Sequence, residues 1–139
     1  MTPTQRLYGI VDTARDPMLF EWVQTIKEPR CLFIGAVPPP LDAAAPYLVS
    51  LDGEEFLSVW RRDGWGQSWG IMFRSAGTID SLRAHFRRFL VCILPDGMTT
   101  FFRFYDPRVW RPYWLSLTPE ERSKWLNGIS EFIVEPGPA

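Results

Sequence analysis

Short apolar runs alternate with well-marked helix starts over the first two thirds of this chain, and that alternation constrains the fold more than any other feature. Residues 7–12, 30–34 and 46–51 read as buried strands. After the first, Asp16-Pro17 supplies an N-cap and a proline at the first helical position, and Leu19, Trp22, Val23 and Ile26 follow at helical spacing. After the third, Asp52 is placed to cap a helix over 52–62. Glu54 and Glu55 would lie in its positive first turn, Phe56, Leu57 and Trp60 inward, and Gly64 just past its end. Residues 68–74 read as a strand, and 78–90 as a helix capped by Thr78 with Ile79, Leu82, Phe86 and Phe89 inward. Strands joined through helices are expected to form parallel pairs.

The pattern changes in the last third. Residues 91–94 and 99–105 flank Pro95-Asp96-Gly97, which predicts a β-hairpin and antiparallel pairing. Asp106-Pro107 starts a short helical turn. Thr118 and Glu121 have the spacing of a capping box, and 131–134 form a last strand. The expected fold is a single α/β domain over 1–139. A mixed β-sheet is flanked by helices, the C-terminal third adds the hairpin and further helices, and 1–6 and 136–139 are flexible ends. A chain of 139 residues is long enough to bury a core without disulfide staples.

Charge is unevenly spread although the net value is only −1. Residues 61–111 hold nine arginines against Asp63, Asp80, Asp96 and Asp106, while the segments on either side are acidic. Arginine suits planar, bidentate contacts. No apolar run approaches the ~18–20 residues that cross a bilayer. Cys31 and Cys92 both lie in apolar runs, as buried free thiols in a reducing compartment do. With no secretory leader in the first residues, the expectation is a soluble cytoplasmic protein.

Residues 66–70, Gly-Gln-Ser-Trp-Gly, match the G-x-S-x-G nucleophile elbow of serine hydrolases. An elbow requires a strand before the serine and a helix after it. Here the predicted helix precedes Ser68 and the strand follows, so the stretch reads as architecture. One histidine (His85) and two separated cysteines offer no local metal-ligand pair. The expectation is no catalytic, cofactor or metal site. Residues 103–114, Arg-Phe-Tyr-Asp-Pro-Arg-Val-Trp-Arg-Pro-Tyr-Trp, interleave cations with aromatics. Such a segment can stack on single-stranded nucleic acid or form a protein-binding face. The pI of about 5.8 argues against a dedicated nucleic-acid module. The candidate partner-binding residues are Arg108, Trp110, Arg111, Tyr113 and Trp114.

Five ordered motifs carry a resemblance: L-Y-G-I-V-D at 7–12, A-P-Y-L-V at 45–49, G-W-G-Q-S-W-G-I at 64–71, L-R-A-H-F-R-R-F-L at 82–90, and L-P-D-G followed by F-R-F-Y-D-P-R-V within 94–109. Together they resemble domain of unknown function 4123, the type VI secretion effector chaperone or adaptor domain. The resemblance implies a non-catalytic cytoplasmic bacterial adaptor. Its partners would be a toxic effector and the spike-tip protein onto which the effector is loaded. The alternatives on the residues alone are a small serine hydrolase using Ser68 and an Arg/aromatic nucleic-acid-binding module.

Overall fold

A computed structural model describes residues 4–35 and 38–137. Twelve main elements lie along them: β1 (Arg6–Asp12), α1 (Pro17–Thr25), β2 (Arg30–Cys31), β3 (Pro46–Ser50), α2 (Glu55–Val59), β4 (Gly70–Ser75), α3 (Ile79–Arg87), β5 (Val91–Ile93), β6 (Thr99–Phe101), α4 (Pro107–Ser116), α5 (Pro119–Trp125) and β7 (Ile129–Ile133). The result is one α/β domain. The flexible ends expected from sequence fall partly on 1–3 and 138–139, outside the described residues, whereas Arg6 already pairs with Ser75 in the sheet.

The main sheet has the order β2-β3-β1-β4-β7, and every ladder in it is antiparallel. This corrects the expected parallel pairs, and strand direction explains how. β3 and β4 both run opposite to β1, so they run parallel to each other, as strands joined through a helix should. They never touch, because β1 lies between them. In the same way β1 and β2 share a direction, with β3 inserted between. The hairpin does not join the sheet either: β5 and β6 pair only with each other.

The alternation of side chains divides the core into two layers. Leu7 and Val11 of β1, with Val49 and Met72, pack under α1 and α2 around Phe56, Trp60 and Trp69. Tyr8 and Ile10, with Leu48, Ile71 and Phe73, pack under α3, α4 and α5 around Phe86, Phe104, Trp110 and Trp125. Gly9 is a point of close approach: a Cβ there would lie 2.7 Å from the Trp60 ring. Trp60 is fully buried and opens a single π-helical turn, Trp60–Gly64, that ends α2.

Local signals set several boundaries as expected. Asp16 accepts from Met18 N at 2.9 Å, Thr78 from Ser81 N at 3.1 Å, and Thr118 and Glu121 close a reciprocal capping box. Asp52 does something else. Its carboxylate accepts from Leu7 N at 2.9 Å and ties the start of β1 to the turn after β3, while α2 begins at Glu55 without a side-chain cap.

Candidate interaction site

Residues 102–108 pass beside the C-terminal end of the central strand and bring together three buried carboxylates. Phe102 and Phe104 point into the second core layer, whereas Arg103, between them, donates to Asp12 Oδ2 at 2.6 Å. Asp12 is 1% exposed, so the pair satisfies a charge that burial would otherwise penalise heavily. Burial works against the Arg103 cation, and the Asp12 carboxylate outweighs it, leaving the guanidinium more basic than usual. Tyr105 is buried beside them. Burial, and then the Asp12 charge, push its phenol up to about 12.

Asp106 caps α4 by accepting from Arg108 N at 2.9 Å, and the Arg108 side chain folds back onto the same carboxylate at 3.0 and 2.7 Å. Burial raises the Asp106 pKa, but these hydrogen bonds prevail and hold it below the usual carboxylate range. The third carboxylate, Glu135, accepts from Ser68 N at 3.1 and 3.3 Å. Ser68 is buried in a left-handed conformation (φ 59°) on the turn between the π turn and β4. The helix-then-strand order around it is the reverse of a nucleophile elbow. His85 Nε2 is occupied by the Trp125 carbonyl at 2.9 Å, in the other core layer.

The five predicted partner-binding residues fall on α4, which is a ten-residue helix rather than a short turn. Helical spacing separates them. Trp110, Arg111 and Trp114 line a groove of about 540 Å³ between α4 and β7, together with Leu115, Leu126 and Phe132. Trp110 forms its floor: it is 3% exposed, stacks on Trp114 (centroids 5.0 Å, 19°) and lies 4.6 Å from Phe132. Trp114 is half-buried, with the Arg122 guanidinium 5.1 Å from its ring centroid. Arg111 Nη1 donates to the Glu135 carbonyl at 3.0 Å, and Leu115 stands 77% exposed at the lip. Tyr113 turns the other way and receives a hydrogen bond from Trp125 Nε1 at 3.2 Å. Arg108 belongs to the Asp106 cap.

A second apolar surface was missed by the sequence reading. Phe33, Ile34, Leu41, Leu90, Val91 and Phe101 line a concavity of about 620 Å³ beside the detached hairpin. Arg87 fixes its rim by donating to the Leu32 and Phe33 carbonyls at 3.0 and 2.8 Å. Ile93, at 76% exposure, continues the same face of β5 as Val91. The signal available in the sequence was the apolar run of β5 together with Phe101 of β6.

Comparison with known proteins places the chain in a family. The family model described as "Domain of unknown function (DUF4123)" matches residues 7–124, most of the chain. The chain belongs to the DUF4123 family. No curated protein and no solved structure matches it. In this DUF4123 chain the matched span holds β1 to α5 almost entirely, and β7, which completes the sheet and forms one wall of the α4 groove, follows it. Among the described residues no helix is long and apolar enough to cross a membrane, and no three His, Cys, Asp or Glu side chains gather as metal ligands.

Proposed function

We propose that this DUF4123 chain is a non-catalytic adaptor that binds a type VI secretion effector and helps load it onto the spike-tip protein in the bacterial cytoplasm. The observation that carries the reading is the α4–β7 groove. Tryptophan and arginine are the residue types that dominate protein–protein binding energy, and here Trp114 and Arg111 line an apolar trough with Leu115 exposed at its edge. The apolar concavity beside the hairpin gives a second face of the same character. The ordered motifs at 7–12, 64–71 and 102–109, whose resemblance points to effector adaptors, support the same reading from the sequence side.

Co-expression with the effector and spike-tip proteins encoded by neighbouring genes tests it. The expected result is a complex that survives size-exclusion chromatography with at least one of them. Failure of both to co-elute would overturn the reading, as would labelling by a serine-reactive probe that Ser68→Ala abolishes.

A further inference from the structure

We propose that the outer edge of β7 receives an extended segment of the partner polypeptide, which adds to the sheet as a sixth strand. The inference rests on the adaptor reading and identifies the form in which the partner is held.

The argument starts from backbone direction. Leu51 N donates to Leu7 O, and Asp12 N donates to Trp69 O. Odd residues of β1 therefore bond towards β3 and even ones towards β4. Tyr8 is registered with Phe73, so Phe73 bonds back to β1, and its neighbours Met72 and Arg74 bond outward to β7. Their partners are Ile133 and Glu131. Phe132, between those two, must point its N–H and C=O away from the sheet. β7 is the last strand in the order, and among the described residues no other backbone group bonds to Phe132. A free donor–acceptor pair on an extended edge is complementary to another extended backbone.

The side chains fit the same occupant. Phe132 projects to the α4 side, where it packs near Trp110 and Trp114. Alternate residues of an added strand would project to that side too, into the trough lined by Trp114 and Leu115. The landing edge is short. A bulge at Arg74/Ser75 disturbs the ladder at one end, and Pro136, with no N–H, lies just beyond the other. An edge this short offers little to indiscriminate stacking.

Amide hydrogen exchange resolved to single residues, on the free chain and on its complex with the neighbouring-gene effector or spike-tip protein, tests the proposal. In the free chain Glu131 and Ile133 amides exchange slowly and Phe132 fast; in the complex Phe132 slows about tenfold or more. Leu115→Glu, on an exposed side chain, weakens the complex about tenfold without loss of fold. A complex in which Phe132 still exchanges fast overturns the edge proposal and leaves the adaptor reading standing. Absence of any complex overturns the adaptor reading and this inference with it. Concentration-dependent protection of Phe132 in the free chain would assign the edge to a second copy and overturn the proposal.

Discussion

Arg103 reaches across 91 residues of sequence to place its guanidinium 2.6 Å from the Asp12 carboxylate, one end of the pair half-exposed and the other sealed inside the domain. The contact ties the most distinctive motif of the C-terminal third to the end of the central strand. Asp12 also accepts from Ala14 N at 3.2 Å. Its remaining charge depends on the arginine.

Arg103→Ala should therefore cost more than an exposed ion pair does. Removing one partner of a fully buried pair costs about 3–5 kcal/mol, and solvent around the half-exposed arginine reduces this to roughly 2 kcal/mol. Urea unfolding of Arg103→Ala, Asp12→Asn and the double variant measures it. The double variant should be less destabilised than the sum of the two; strict additivity would show that the two groups are not coupled.

The glycines of residues 64–70 should differ sharply. A Cβ at Gly70 would overlap the Ile10 carbonyl oxygen of the neighbouring strand, and one at Gly64 would overlap the Trp69 ring. At Gly66 a Cβ meets open space, and only the positive φ of 93° is unfavourable. Alanine should cost about 1 kcal/mol at Gly66 and about 3 kcal/mol or more at Gly64 and Gly70. Equal thermal shifts for all three would contradict the packing described.

His85 gives the domain a pH dependence of predictable sign. Burial, with a smaller contribution from Arg88, holds its pKa below the ordinary value against the opposing Trp125 hydrogen bond. The unfolded chain then takes up a proton before the folded one. Stability is complete above the unfolded pKa of about 6.5 and declines as pH falls through it, levelling only below the depressed folded value. Thermal unfolding between about pH 7.5 and pH 5.5 should show the decline, and His85→Gln should flatten it. A slope that survives in His85→Gln would assign the effect elsewhere.

Trp110 and Arg111 are adjacent in sequence and should separate cleanly on substitution. Trp110→Ala empties a buried site between Trp114, Trp125 and Phe132 and should cost about 3–5 kcal/mol. Arg111→Ala removes one hydrogen bond to a backbone carbonyl and should cost about 1 kcal/mol. Far-UV circular dichroism melts compare the two, and similar melting temperatures would place Trp110 at the surface instead.

What the sequence disclosed follows the range of the forces involved. The caps at Asp16, Thr78 and Thr118 were readable because donor and acceptor lie two or three residues apart. Asp52 looked equally local, yet its partner is Leu7, 45 residues away, and no spacing rule reaches that far. The sheet order was hidden for the same reason: periodicity gives a strand's faces, not its neighbours. The sequence marks only a short helical turn after Asp106-Pro107, whereas α4 runs for ten residues and passes through Pro112. Here its missing N–H leaves free only the carbonyl of Arg108, an exposed residue that water can serve. With the helix shortened, the sorting of Trp110, Arg111 and Trp114 to the groove and Tyr113 to the core could not be read.

The strand order also dictates a timetable for the nascent chain. β1 leaves the ribosome first but occupies the centre of the sheet, so it waits, unpaired on both sides, until β3 and then β4 have been synthesised. β4 waits in turn for β7: Ser75 Oγ and the Gly128 carbonyl it bonds are 53 residues apart. Elongation must pass almost the whole domain before the sheet can close, and pairing across such separations is slow. The unfinished domain therefore leaves one edge of β4, among its most apolar strands, unpaired until its last strand is made, and ribosome-bound chains halted before Ile129 should bind a holdase chaperone where chains extended past Val134 do not.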